Sequence, residues 1–252
     1  MALLTNSFVI ILALLLGSFY NVVGLRVPKG MSIVTPRSHC TNCKQTLTGI
    51  DLIPVLSYVW QRGKCRYCGV KVSPIYPFFE LLTAILFVLA PLQLGWSYEL
   101  IVAWTFISML IIIVITDIHY MLIPNKILLF FFILFIAEAV LIPYSSWTGH
   151  FVGVVVGFLV PFLVALLSKG GMGGGDVKLF AVIGFVIGWE LFLLTFFLAS
   201  FIGTVGALVG MKLGKVEKGK PFPFGPFIAI AAWIAYFYGE HLLDLYISFF
   251  LL

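Results

Sequence analysis

Charge is scarce in this chain. Only 10% of its 252 residues are Asp, Glu, Lys or Arg, whereas 62% are hydrophobic. Soluble globular proteins carry roughly 25% charged residues, so this composition leaves too little polar surface to coat a water-soluble domain. The alternative solvent is lipid, and a helix that spans it needs about 20 apolar residues. The low charge therefore excludes an ordinary soluble enzyme or binding module and favours an integral membrane protein.

Proline, glycine and isolated charges divide the apolar sequence into segments. The first segment, residues 3–16, lacks the basic stretch that precedes the apolar core of a cleaved signal peptide, so we interpret it as a retained helix. The pattern predicts an all-α polytopic membrane protein with about eight transmembrane helices. The predicted spans lie near residues 4–25, 78–95, 98–116, 126–143, 149–168, 177–189, 191–213 and 225–250.

Basic residues are placed unevenly along the chain. Eight of the fifteen lie in the polar loop 26–77: Arg26, Lys29, Arg37, Lys44, Arg62, Lys64, Arg66 and Lys71. Eight spans would place the other seven in or beside turns on that same side: Lys126, Lys169, Lys178, Lys212, Lys215, Lys218 and Lys220. Because cytoplasmic loops are rich in Lys and Arg, this side is predicted to be cytoplasmic, with both termini on the other side. The predicted domains are a first transmembrane helix (1–25), a cytoplasmic loop domain (26–77) and a helical transmembrane domain (78–252).

Cysteine is rare as well, and the four cysteines all lie in this loop. They form two C-x-x-C pairs, Cys40 with Cys43 and Cys65 with Cys68, at a spacing typical of a tetrahedral four-cysteine zinc site. Disulfides are disfavoured in the reducing cytoplasm, and a redox motif would need only one pair. We therefore predict a structural zinc ion that holds together a small loop with little apolar content.

Two acidic residues stand at the predicted cytoplasmic edge of the membrane. Asp117 follows a long apolar run, and Asp176 follows a glycine-rich stretch that includes Gly173 and Gly175. Ionisable groups at such positions are candidate functional residues when they face protein or water. Glycine also permits close backbone approach, so an extended peptide has room to pass beside Asp176.

Two carboxylates at close range share a proton and can act as an acid–base pair that activates water against a peptide bond. The residue types alone leave other interpretations open. Each Asp could cap a helix, or the pair could form a proton or ion site in a channel or transporter. A membrane-anchored zinc module that binds nucleic acid or protein is a third hypothesis, because the loop is strongly basic.

Several motifs, in order along almost the whole chain, resemble those of the type IV prepilin peptidases, a family of G-x-G-D intramembrane aspartyl proteases. Residues 173–176 match the G-x-G-D motif, and Asp117 matches the first aspartate of the family. Asn125 stands where many members have a further Asp. The other matching parts are residues 17–23 with Arg26 and Pro28, the two cysteine pairs, residues 77–80, and residues 222–226.

The resemblance implies a membrane aspartyl endopeptidase of the bacterial cytoplasmic membrane. It would remove the leader of type IV prepilins and pseudopilins at the cytoplasmic face and then N-methylate the new terminus with S-adenosylmethionine. Asp117 and Asp176 would be the catalytic pair, with Gly173 and Gly175 in a supporting loop.

Three further positions are candidates for methylation or substrate contact: Glu80, Asn21 and Arg26. Each also has a structural alternative. Glu80 could be a neutral or lysine-paired carboxylate near a span end, and Asn21 and Arg26 could serve in interfacial capping and snorkelling. The expected partners are prepilin or pseudopilin precursors and membrane lipid, with no nucleic acid.

Overall fold

The computed structural model describes residues 2–168, 171–214 and 222–250. Four of the basic residues predicted to lie on the cytoplasmic side are outside the described ranges: Lys169, Lys215, Lys218 and Lys220. The described chain is helical and contains no β-strand. Its α-helices are α1 (Ala2–Arg26), α2 (Leu56–Trp60), α3 (Ile75–Leu94), α4 (Glu99–Tyr120), α5 (Asn125–Leu141), α6 (Trp147–Leu167), α7 (Gly174–Lys212) and α8 (Gly225–Phe250).

The chain divides into two compact units, Met1–Ile115 and Thr116–Leu252. In the first unit, α1 lies against α3. Their close approach depends on Gly17, because a Cβ at this position would lie 2.8 Å from Cα of Glu80. A hydrogen bond between the hydroxyls of Tyr20 and Ser108 joins α1 to α4. Helix α1 thus has contacts to both α3 and α4.

The second unit holds the last turn of α4 and helices α5 to α8, and α6 packs along α7. At this contact, glycines bring the backbones of the two helices together without intervening side chains. A Cβ at Gly153 would lie 1.9 Å from the carbonyl oxygen of Gly184, and a Cβ at Gly184 would lie 2.1 Å from that of Gly153. Small residues at such crossings let membrane helices approach closely, which strengthens their packing in lipid.

We expect Gly184→Ala to lower the stability of the protein. The added methyl meets backbone, which can move only if the two helices separate, and overpacking of this kind costs about 1–3 kcal/mol. The midpoint of thermal unfolding in detergent should fall. Gly174→Ala is the matched control, since a Cβ there meets nothing within 4 Å. Equal midpoints for the two variants would contradict the tight crossing.

Six of the described helices are long and apolar enough to cross a membrane: α1, α3, α4, α6, α7 and α8. The protein is therefore a multi-pass membrane protein, but the predicted count of eight spans is not confirmed. The 17 residues of α5 extend about 25 Å. In α7, which has 39 residues, Gly188 takes non-helical angles of φ 77° and ψ 173°. The prediction divided this region at Trp189–Glu190, one residue after this break.

Candidate functional site

Asp117 lies in the last turn of α4, with only 5% of its surface exposed. The helix ends at Tyr120, shortly before Pro124, whose ring disfavours helical conformation in the preceding residue. The backbone N–H of Gly225 donates a 2.7 Å hydrogen bond to Oδ2 of Asp117. Because Gly225 is the first residue of α8, this N–H has no partner within its own helix and favours a negative charge.

Gly225 must be small for the same contact to form. A Cβ at this position would lie 2.8 Å from Oδ2 of Asp117, so any larger residue would displace the carboxylate. Gly225 was part of a matching motif in the sequence, but nothing in its local pattern indicated that it contacts Asp117.

Asp176 is in the first turn of α7. Its Oδ2 accepts a 3.1 Å hydrogen bond from the backbone N–H of Gly173, so the carboxylate caps the start of its own helix. Gly175, between them, lies close to the turn after α4, because a Cβ there would be 3.0 Å from Cβ of Ile123. The helix-capping alternative thus describes a real contact of Asp176, and that contact fixes the carboxylate in position.

Asp117 and Asp176 line one cavity of about 1280 Å³ in the second unit. They are close enough for their charges to interact. The cavity is lined by the glycine-rich loop, by the turn after α4, by the later part of α7, and by Phe222 and Phe224, so its lining is both polar and apolar. A space of this size, with polar and apolar lining residues, can hold a short peptide segment.

Lys178 and Asn125 also line the cavity, and the ammonium of Lys178 donates a 3.0 Å hydrogen bond to Oδ1 of Asn125. Asn125 is the first residue of α5, and Lys178 is in the second turn of α7. This bond therefore joins the starts of two helices at the rim of the cavity. No local pattern around Asn125 or Lys178 predicts this pair.

The four cysteines of the loop come together in two similar turns. In each, the N–H of the first cysteine donates to a carbonyl five residues later, from Cys40 to Gln45 at 3.0 Å and from Cys65 to Val70 at 2.8 Å. All four sulfurs lie within 4.8 Å of one another, and none is in a disulfide. Ligand bonds of about 2.3 Å in a tetrahedron fit this spacing. The cluster can therefore bind one metal ion.

Asn42 and Gly69 are residue types that favour tight turns. Gly69 does take a positive φ of 71°, but the equivalent position of the first turn is Lys44, with φ 60°. Asn42 instead lies near the other pair, where its amide Nδ2 is 3.7 Å from Sγ of Cys68. It donates a hydrogen bond to a sulfur that would carry negative charge when bound to metal.

Asp51, the one acidic residue of the loop 26–77, is not a solvated charge. Its side chain is only 2% exposed, and it accepts hydrogen bonds from Thr48, Gln61 and Tyr67. Burial raises the pKa of Asp51, but the hydrogen bonds from Thr48 and the charge of Arg66 lower it by more. The net pKa lies below its usual value, so the stabilising effect of this carboxylate is lost as the pH falls through that lowered pKa.

The remaining candidates lie in the first unit. Oε2 of Glu80 accepts a 2.7 Å hydrogen bond from the N–H of Val55, so Glu80 pairs with the loop backbone and not with a lysine. The amide of Asn21 donates to the carbonyls of Gly17 and Tyr76, both at 3.2 Å. Arg26 donates to the carbonyl of Ser32 at 3.0 Å. Each of these side chains thus has a structural contact within its own unit.

The fold is that of a multi-pass membrane protein, and within it Asp117 and Asp176 line one cavity. The model of the bacterial peptidase A24 N-terminal domain matches residues 11–94, and that of the type IV leader peptidase family matches residues 104–208. The chain belongs to the type IV leader peptidase family.

Relatives match over almost the full length of both chains. A prepilin leader peptidase/N-methyltransferase of Bacillus subtilis is 45% identical over 242 residues, which cover 96% of this chain and 98% of the relative. Proteins of the same name from Pseudomonas aeruginosa and Aeromonas salmonicida are 32% and 31% identical, over 95% and 96% of this chain and 92% and 94% of their own lengths. No solved structure matches. The relatives do not support the channel or transporter alternative.

Proposed function

We propose that this protein removes the leader peptides of type IV prepilins and pseudopilins and N-methylates the new amino terminus. The observation that carries the proposal is the cavity that both Asp117 and Asp176 line. The chain is also related over almost its full length to a prepilin leader peptidase/N-methyltransferase. Family membership supports the substrate class, and the cavity supports the reaction.

The peptidase step requires no covalent intermediate. Two carboxylates at close range hold one proton between them, because two like charges side by side cannot both ionise cheaply. The ionised member takes a proton from water, which attacks the scissile carbonyl, and the protonated member stabilises the developing oxyanion and then protonates the leaving amine. The N–H groups of Gly225 and Gly173 hold the two carboxylates in place, and the glycines of the loop leave space for the substrate backbone.

The methyl transfer and the cysteine cluster belong to the same proposal. S-adenosylmethionine supplies the methyl group to the amine that cleavage releases. Zinc is the metal that four thiolates at this spacing favour, and a closed set of four ligands assigns it a structural role. Glu80, Asn21 and Arg26 remain candidate contacts for the substrate or for methylation.

We also propose a number of membrane segments and an orientation in the membrane. The break at Gly188 divides α7 into two segments, and with α5 the chain would have eight membrane segments. The loop 26–77 would then be cytoplasmic and both termini would lie outside the cytoplasm, in the bacterial inner membrane. The protein would then consist of a first transmembrane helix (1–25), a cytoplasmic loop domain (26–77) and a helical transmembrane domain (78–252).

The full chain, purified in detergent, should convert a prepilin with an intact leader into a shorter product that carries one added methyl group when S-adenosylmethionine is present. Mass spectrometry measures both changes. A folded preparation that leaves the prepilin intact would contradict the proposal. If it also conducted ions in liposomes, the transporter hypothesis would replace it.

A further inference from the structure

The loop between α1 and α3 contains a strained turn at Val55. Its φ of 61° and ψ of −51° are rare for a β-branched residue. The N–H of Leu56 donates back to the carbonyl of Pro54 at 2.6 Å, which closes the strained form of γ-turn. Strain of this kind persists only where the surroundings impose it.

Glu80 imposes this turn. Its carboxylate accepts the Val55 N–H at 2.7 Å and is also hydrogen-bonded by the hydroxyl of Ser18. Glu80 is the sixth residue of the membrane helix α3, which puts it about 7.5 Å along the helix axis from the first. Its neighbours Phe78 and Leu81 are exposed, and on a spanning helix such side chains face lipid. Val55 is therefore held against α3 at a level where the surface of that helix is apolar.

An exposed apolar surface begins directly after Val55 in the sequence. Helix α2 exposes Leu56, Val59 and Trp60, with 56%, 64% and 52% of their surfaces accessible. Their spacing of three and four residues places them on one side of the helix. Ile50, Leu52 and Ile53, just before the turn, are exposed as well. A tryptophan among aliphatic residues beside a membrane helix is typical of the interface between lipid and water.

The charge of the loop complements a membrane surface. The sequence between Lys29 and Lys71 contains one acidic residue, Asp51, against several lysines and arginines. The side chain of Asp51 is buried and lies 3.7 Å from Arg66, so it contributes little negative potential outside. Positive charge next to a membrane attracts anionic headgroups.

We propose that residues 50–60 form an interfacial anchor, which inserts its apolar side chains into the leaflet beside α3 and rests its basic neighbours on anionic headgroups. Glu80 is the positioning residue, because its bond to Val55 sets the depth of the anchor. The proposal does not depend on peptide cleavage or methylation. It requires only that α3 spans the membrane.

Photo-crosslinking in a bilayer tests the anchor. The full chain, with a photoreactive amino acid at Leu56 or Val59, is reconstituted in nanodiscs of phosphatidylcholine and phosphatidylglycerol. We expect lipid adducts by mass spectrometry at both positions, severalfold more than at Tyr58. Tyr58 is the matched control, since it is on the other side of the same helix, where its ring lies against Gly63. Equal lipid labelling at all three positions, or adducts to an added prepilin in place of lipid, would overturn the proposal.

Variants of Glu80 test the positioning role. Glu80→Ala removes the acceptor for the Val55 N–H, and we expect it to abolish most of the lipid adduct at Val59. Glu80→Gln keeps an acceptor oxygen and should retain that adduct. Monodisperse elution and an unchanged unfolding midpoint identify variants that still fold. Undiminished labelling in a folded Glu80→Ala variant would remove Glu80 from the proposal, and cleavage of prepilin in the same nanodiscs reports separately on the proposed activity.

Discussion

Asp117→Asn and Asp176→Asn should each lower the rate of leader removal by at least about 100-fold, because general acid–base catalysis of this kind contributes 10²–10⁴. Both substitutions keep an oxygen that can accept the hydrogen bond from Gly225 or Gly173. The variants should therefore fold as the wild type does, and the loss should reflect the missing ionisable group. The readout is the rate at which prepilin loses its leader, followed by mass spectrometry.

Two controls make this result specific. Glu190→Gln removes an exposed carboxylate that does not line the cavity and should cleave at the wild-type rate. A pilin supplied without its leader should still be methylated by Asp117→Asn and Asp176→Asn, because that substrate does not require cleavage. Undiminished cleavage by either Asn variant would exclude that aspartate from the mechanism.

Cys65→Ser should cause the second large effect, the loss of bound metal and of the folded loop. Structural zinc in zinc-finger peptides contributes about 10–16 kcal/mol of binding free energy, which is also folding free energy. Cys65 is buried and is one of four close sulfurs, so its removal leaves three ligands. Elemental analysis of the purified protein should show one zinc per chain in the wild type and much less in the variant. Limited proteolysis should then cut within residues 36–72.

Asn42→Ala is the matched control for this experiment. It removes the neighbouring donor to Cys68 but no sulfur, so zinc should remain bound and the loop should remain resistant to protease. A Cys65→Ser protein that keeps a full equivalent of zinc would show that the four cysteines do not act as one site. Replacing all four would then be needed to find where the metal binds.

Local patterns were sufficient to predict much of this molecule. Apolar segment length predicted a multi-pass helical protein, and the spacing of the cysteines predicted their cluster, because both properties depend on residues that are near in sequence. Segment length did not predict where a helix is continuous. The predicted division at Trp189–Glu190 lies beside the break at Gly188, but the chain is helical on both sides of that glycine, so hydropathy could not show that the helix resumes directly after it.

Contacts between distant parts of the chain could not be predicted. The hydrogen bond to Asp117 comes from Gly225, 108 residues away, and that to Glu80 comes from Val55, through a backbone N–H that every non-proline residue has. The burial of Asp51 could not be predicted either, because its partners, at positions 48, 61 and 67, follow no short repeat. Backbone donors and folded loops have no signature in residue type, so only the structure identifies them.

The bond from Gly225 has a consequence for the synthesis of the protein. The carboxylate of Asp117 emerges from the ribosome long before its partner, because Gly225 begins the last described helix, α8. Until Gly225 has been synthesised, the carboxylate of Asp117 lacks the backbone donor that contacts it in the folded chain. The proposed peptidase site is therefore complete only after the start of α8 has been made, well after both aspartates.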